Sequence, residues 1–251
     1  MGIFVVSHKE LSDKPSLIEG YSPFFVGPNR IQLGANGGVI DGSGDNIAEL
    51  NSSFCELTAL YWVWKNCNDQ LKGIVHYRRF FESSDSRGSL LAIGAAENML
   101  AEHDVIVPEK YWLLNTVEKH YGSHHNNKDF ALLRESISAV QPSYLEVFDD
   151  CMGLRYVYPY NMLVAKADVY DAYCEWLFSI MFALRERLLQ FEDVERDAYQ
   201  NRVYGFLSER LMNVYIAGSG LNVSENPVLL TERNLKRSIS MGLAKFFYSR
   251  G

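Results

Sequence analysis

Four groups of residues in this chain have the types and spacing that chemistry requires. The first is His76, Tyr77, Arg78 and Arg79, which follow the apolar run Gly73-Ile74-Val75 and precede Phe80 and Phe81. Two adjacent arginines between apolar neighbours are costly to bury unless something anionic meets them. The planar donor fork of arginine suits a phosphate or a carboxylate. In the plainer alternative, one arginine pairs with a buried acid and the other is exposed. On a continuous strand, His76 and Arg78 would face one way and Tyr77 and Arg79 the other.

The second group is the glycine-rich loop holding Asp41, Asp45 and Asn46. Its glycines permit close backbone approach to a ligand, but it has neither the lysine nor the glycine spacing of a phosphate or dinucleotide loop. A turn leading into the next helix is the alternative. The third group is His120, His124, His125 and Asp129. His125 and Asp129 are four apart, the spacing of a metal pair or of a base with its orienting partner, yet no third metal ligand can be named. Histidines at a solvated helix start are the alternative. The fourth is Glu209 and Arg210, between the apolar residues Phe206, Leu207, Leu211 and Val214. Either Glu209 is partly desolvated and serves as a base, or the pair is the wet edge of an amphipathic helix. No Asp-x-Asp pair occurs, and the neighbours Asp149 and Asp150 read as a helix cap.

The elements that must position these groups follow from periodicity. Ile3 to Ser7 reads as a buried strand, with His8 and Lys9 at its end. Residues 10 to 50 are rich in turn signals, with short strands at Phe24 to Val26 and Arg30 to Leu33. Ser53 and Glu56 fit a capping box opening a helix through Lys65. GIVHYRRFF reads as one strand, Leu90 to Glu102 as a helix, and His103 to Pro108 as a strand stopped by proline. Thr116 to Val140 is helical in its second half. A helix after Pro142, a strand over Tyr156 to Ala165, and helices over Val169 to Gln190 and Tyr199 to Ile216 follow. Buried strands alternating with helices make the class α/β with a mostly parallel sheet. Ligands of such sheets sit beyond the C-terminal strand ends, which brings His8, Lys9, the arginine pair, Pro108 and Asn161 toward one crevice.

Bulk properties narrow the function. Across 251 residues, 47% are apolar and acids outnumber bases 31 to 24, for a net charge of −7. That composition is globular, and its sign argues against a nucleic-acid partner. The four cysteines form no CxxC pair, so neither zinc nor thiol redox chemistry is indicated and a reducing cytoplasm is the simplest setting. The start, MGIFVVSHKE, reads as a strand and not a signal peptide, and no apolar run is long enough to span a membrane. The tail from Glu232 to Gly251 interleaves five basic residues with large apolar ones, a pattern suited to an anionic membrane surface or a partner.

Taken together and in order, SHK, GDNIAELNSSFCELTALYWVWKN, GIVHYRRFF, YNMLVAKADVYDAYCEWLF and RVYGFLSERL resemble one group. It is the bacterial capsular and exopolysaccharide glycosyltransferase family with an HYRR motif, long carried as a domain of unknown function and including O-antigen galactofuranosyltransferases. The resemblance runs from Ser7 to about Tyr215. It implies a single GT-A-like α/β domain over residues 1–231, followed by the tail 232–251. The implied reaction moves a sugar, galactofuranose for some members, from a nucleotide-diphosphate donor, UDP-linked by preference, to a lipid-linked glycan. The cytoplasm, at the inner membrane face, is the expected location.

Under that resemblance His8, Lys9, Asp45, Asn46, His76, Tyr77, Arg78, Arg79 and Arg210 line the donor site, and Asn161 and Met162 border the acceptor. Glu209 is the first choice for the base of an inverting reaction and Asp129 the second. The arginines would stand where a metal otherwise neutralises the leaving diphosphate. No cofactor or metal site is therefore expected, because a Mn or Mg ion lacks its DxD pair. The other reading is a non-catalytic carbohydrate- or nucleotide-binding subunit of a polysaccharide assembly complex. A phosphatase ranks behind both for want of a nucleophile motif.

Overall fold

The computed structural model of the chain describes residues 2–11, 20–35, 37–83, 86–191 and 196–231. The basic tail expected at 232–251 lies outside the described residues. In chain order the elements begin with β1 (Gly2–Ser7), β2 (Tyr21–Phe25), α1 (Arg30–Gly34), β3 (Val39–Ile40), α2 (Asn51–Phe54), α3 (Leu57–Asn66), β4 (Leu71–His76) and β5 (Arg79–Phe81). Next come α4 (Ile93–Glu102), β6 (Val105–Pro108), β7 (Tyr111–Trp112), α5 (Val117–Gly122), α6 (Asn127–Val140) and α7 (Leu145–Gly153). The last are β8 (Tyr156–Val157), β9 (Leu163–Lys166), α8 (Ala167–Gln190), α9 (Val203–Ser219), β10 (Val223–Asn226) and β11 (Val228–Leu230).

The chain divides into two compact units that alternate along the sequence. The first takes the residues through Glu109, then Asn161–Cys174 and the stretch from Leu221; the second takes Lys110–Tyr160 and Glu175–Gly220.

The first unit is built on a sheet in the order β10-β6-β9-β4-β1-β2-β3. β1 and β6 read as apolar runs because both faces are covered; every position of β1 and β6 is buried. β1 pairs in parallel with β2 and β4, β2 with β3, and β6 with β10. Along this order β9 is reversed, lying antiparallel between β4 and β6, and β5, off the order, is antiparallel to β4. The expected α/β class with a mostly parallel central sheet is thus observed. Gly73 is where β4 and β9 touch: a Cβ there would lie 2.8 Å from Val164 Cγ2 and 3.1 Å from the Leu163 carbonyl. Leu57, Leu60 and Val63 of α3 are fully buried, each such side chain contributing about 1.5–3 kcal/mol.

The topology gathers one edge of this sheet. His8 follows β1, Tyr77 follows β4 and Pro108 closes β6, all at C-terminal strand ends. Because β9 runs the other way, Asn161, just before it, reaches the same edge. The β4–β9 register ends with Ile74 opposite Leu163, so Asn161 lies toward the C-terminal end of β4.

The second unit holds helices α5, α6, α7 and α9, most of α8, and the ribbon β7–β8, in which Tyr111 pairs with Val157. α9 is buried along most of its length and ends on Gly220, whose φ of +66° supplies the left-handed stop. Asn213 of α9 accepts from the Tyr158 amide and donates to the Tyr156 carbonyl, at 2.9 Å each, and so fastens β8.

Several local expectations need correction. Residues 30 to 33 are helical, not extended. Arg30 turns back to donate to the Gly27 carbonyl at 3.0 Å, and Val39–Ile40 takes the strand position instead. Ser53 does not cap α3: its hydroxyl donates to the Leu50 carbonyl inside α2. The chain then breaks at Cys55, with φ of 54° and ψ of −128°. GIVHYRRFF is not one strand but a hairpin, turning at Tyr77–Arg78 so that His76 pairs with Arg79. Both halves of 116–140 are helical, with Thr116 accepting from Lys119 N as the first cap. The run 156–165 is two strands, separated by Tyr160 and Asn161 at φ of 79° and 50°. The Asp149 carboxylate does not cap a helix; Arg134 grips both its oxygens, at 2.8 and 2.7 Å.

Candidate functional site

The hairpin at the end of β4 carries two adjacent cations, Arg78 and Arg79. Its backbone is committed: Tyr77 N donates to the Val6 carbonyl and Thr231 N to the Arg78 carbonyl, both at 3.1 Å. β5 is held on its outer side by β11. The Tyr77 ring then becomes a platform. Lys9 Nζ lies 4.8 Å from its centroid and the Arg78 guanidinium carbon 4.7 Å from it. The His8 ring meets it edge-on at 5.3 Å. Such cation–ring contacts hold each charge in place by about 0.5–1 kcal/mol where exposed. The Tyr77 hydroxyl is buried with no hydrogen-bond partner among the described residues. His76 is buried behind the turn, while Arg78 and Arg79 are half-buried. Of the residues expected from the sequence, His8, Lys9 and Arg78 therefore each meet the Tyr77 ring, with His76 and Arg79 adjoining in sequence.

Beside this cluster the β2 and β3 ends are locked together. Asp41 is fully buried, accepts from Thr58 Oγ1 at 2.6 Å, and faces Arg30 Nε at 3.3 Å. Burial raises the pKa of its carboxyl, against the lowering effects of Thr58 and Arg30. Gly27, at φ of 83°, is where this lock approaches the cluster: a Cβ there would lie 3.3 Å from Asn51 Oδ1 and 3.9 Å from His8 Cβ.

Asp45 and Asn46 are not brought to the hairpin. The Asp45 amide donates to Asn66 Oδ1 at 3.0 Å and its carboxylate accepts from Tyr61 at 3.2 Å. Asn46 closes its own turn, accepting from Ala48 N. Asn66 ends α3 on the side from which the chain enters β4, whereas His76 closes that strand at its other end.

Asn161 comes to the same sheet edge as the hairpin. Its Nδ2 donates to Glu56 Oε1 at 2.7 Å, and both residues belong to the first unit. Non-glycine residues at positive φ cost on the order of 1–3 kcal/mol each and persist only where the surroundings fix them. Among the described residues these are Cys55, Tyr160 and Asn161, so they are the neighbour of Glu56, its hydrogen-bond donor and the residue before that donor. Met162 is fully buried.

The second unit holds the other expected residues. Glu209 accepts from the Tyr160 amide at 3.0 Å and from Arg210 Nη1 at 3.1 Å. Arg210 is not on a wet helix edge: it is 5% exposed, donates to the Phe206 carbonyl at 2.7 Å, and lies over the Tyr121 ring at 5.5 Å. Asp129 is buried in a two-pronged pair with Arg196, at 2.5 and 3.1 Å, and also accepts from Tyr121 at 3.0 Å. It does not hold His125, whose Nδ1 meets Gln200 Oε1 at 3.0 Å and whose ring packs on Phe206 and Tyr121. Burial, with Arg210 and the other two histidines, depresses His120 to about 4.

Sequence reasoning missed Glu56, taken only for a capping residue, and Arg30 and Arg196, the partners of Asp41 and Asp129. A glutamate just before an apolar helix start is an ambiguous signal, and nothing local distinguishes the two arginines. Among the described residues no three His, Cys, Asp or Glu side chains cluster to hold a metal. No described helix is long and apolar enough to cross a membrane.

Comparison with curated proteins finds no match. Among solved structures, the chain is similar to the apo structure of the bifunctional glycosyltransferase WbbM, with TM-score 0.75 and 25% identity over 92% of this chain. It spans 45% of that protein's length. The likeness takes in nearly the whole chain and agrees with the α/β fold expected of a glycosyltransferase. A family model matches residues 2–220, and the chain belongs to that family, described as a domain of unknown function (DUF4422).

Proposed function

We propose that this protein is a glycosyltransferase that moves a sugar from a nucleotide-diphosphate donor to a growing glycan. The observation that carries this reading is the pairing of Lys9 and Arg78 on the Tyr77 ring at the C-terminal edge of the sheet. Ligands of parallel sheets collect at that edge, and two cations fixed there meet a diphosphate without reorganising. The similarity to a bifunctional glycosyltransferase supports the same reading.

In this reading Lys9, Arg78 and Arg79 bind the donor phosphates and neutralise the charge that develops on the departing diphosphate. His8 and His76 shape the pocket wall around Tyr77. A UDP-sugar, with galactofuranose as one candidate, is the donor to try first, and a lipid-linked surface glycan is the acceptor class. The positive charge supplied by side chains stands in for a divalent metal.

The test is a binding and hydrolysis screen of UDP-, GDP-, dTDP- and CMP-sugars, in EDTA and in manganese, with Arg78→Ala/Arg79→Ala as the control. Binding of one donor in EDTA, lost in the double variant, is expected. Strict manganese dependence would sink the role given to the cations. Binding with no turnover of any donor, with acceptor glycans present, would leave a nucleotide-sugar-binding protein and not a transferase.

A further inference from the structure

Three carboxylates compete for the role of base, and their surroundings differ. Glu209 has one oxygen on the Tyr160 amide and the other on the cation Arg210. Asp129 has both oxygens on Arg196 and one also on Tyr121. In both, a guanidinium occupies carboxylate oxygen that an incoming hydroxyl would need. Glu56 is different. Its Oε1 accepts from the neutral side-chain amide of Asn161, and its second oxygen makes no hydrogen bond among the described residues. The side chain is half-buried, so it is fixed by one oxygen and open at the other.

The backbone around Glu56 is under unusual constraint. Cys55, immediately before it, and Asn161, its donor, both hold positive φ. Cys55 turns the chain so that α3 starts at the sheet edge, and Thr58 and Asn51 fasten that turn, with Asn51 donating to the Cys55 carbonyl at 2.9 Å and to Thr58 at 3.0 Å. Strain retained at one place by several fixed partners marks a site where orientation matters. The same edge carries Tyr77 and Arg78, because β9 runs antiparallel to β4 and Asn161 precedes β9 at the C-terminal end of β4.

We infer that Glu56, oriented by Asn161, is the base of the proposed transfer, acting in the same unit as the cations that receive the diphosphate. The inference rests on the glycosyltransferase reading. In the step, the acceptor hydroxyl gives its proton to the open oxygen of Glu56 as its own oxygen bonds to the anomeric carbon of the donor sugar. The bond from that carbon to the diphosphate breaks, and its electron pair leaves with the diphosphate toward Lys9 and Arg78. Glu56 then returns the proton to water. With water as acceptor the same step is donor hydrolysis. Asn161 is a positioning residue.

The experiment measures binding and hydrolysis of the UDP-, GDP-, dTDP- and CMP-sugar panel by wild type, Glu56→Gln, Glu56→Asp, Glu56→Ala and Glu209→Gln. Glutamine retains an oxygen for Asn161 but cannot take a proton. Glu56→Gln is expected to bind the donor within about threefold of wild type while turnover falls 100-fold or more, the usual contribution of a positioned base. Added formate is expected to restore part of the turnover of Glu56→Ala, which a purely structural role would not allow. Should Glu56→Gln fail to fold, Glu56→Asp and the formate response decide: retained partial turnover in the first and rescue in Glu56→Ala support the assignment. Unchanged turnover in Glu56→Gln with loss in Glu209→Gln overturns it, moving the base to the second unit. Equal loss of donor binding and turnover, without formate rescue, also overturns it. A wild-type protein inert toward every donor removes the transferase reading itself.

Discussion

Lys9 and Arg78 come from the ends of two different parallel strands and meet on one aromatic ring, at 4.8 and 4.7 Å from the centre of Tyr77. Neighbouring cations repel, and the electron-rich ring faces offset part of that cost.

Tyr77 separates ring from hydroxyl. Its hydroxyl is buried without a partner among the described residues, so Tyr77→Phe removes an unsatisfied polar atom and should leave the melting temperature unchanged or slightly higher. Tyr77→Leu removes the ring and about 1 kcal/mol of positioning per cation. Donor affinity by calorimetry should then fall several-fold while the phenylalanine variant stays near wild type.

Asp129→Asn tests whether that residue is structural. The substitution leaves Arg196 facing a neutral group in a buried setting, a loss of about 3–5 kcal/mol for a broken buried pair. Urea unfolding should show the midpoint drop sharply. A variant with wild-type stability and no turnover would instead return Asp129 to the list of bases.

His120 makes stability pH-dependent. Unfolded, a histidine takes up its proton near pH 6.5; folded, His120 does so only at about 4. Between those values the unfolded chain holds more protons, so stability falls as pH is lowered through that window, by up to about 1.4 kcal/mol per pH unit. His125, also depressed by burial, acts in the same direction. Urea midpoints at pH 7.5, 6 and 5 should decline for wild type and decline less for His120→Gln.

Gly73 tests the β4–β9 contact. Alanine there would meet the Leu163 carbonyl at 3.1 Å and Val164 Cγ2 at 2.8 Å, and overpacking of this kind costs about 1–3 kcal/mol. Gly73→Ala should lower the melting temperature; wild-type stability would mean that β9 shifts freely.

Much of this architecture can be read from the residues. β1, β4 and β6 are apolar runs that only a doubly covered strand accommodates, and the turn-bounded α8 keeps a helical period. The arginine pair also announces itself, because charge between apolar neighbours needs a reason. What escapes are the turns made without glycine. Cys55, Tyr160 and Asn161 take left-handed conformations because Glu56, Glu209 and the strands around them impose it, and no local propensity encodes that. Arg30 to Leu33 alternates polar and apolar like a strand, and only its bonds to Gly27 and Asp41 make it helical. Glu209–Arg210 reads as a wet edge until Tyr121 covers the guanidinium.

The strand that follows the two turn residues has a bearing on how the protein is made. β5 is closed on its outer side by β11, with Arg79 paired to Leu230, and β6 is closed by β10, with Val105 paired to Val223. On a ribosome, both edges stay open until almost all of the described chain has emerged. Contacts so distant in sequence form late and slowly, and open edges invite pairing with other chains. The cationic hairpin can therefore be assembled by the first third of the polypeptide but is sealed only by Val228–Leu230. A nascent chain halted before Val223 would carry an unprotected sheet, a natural client for a chaperone.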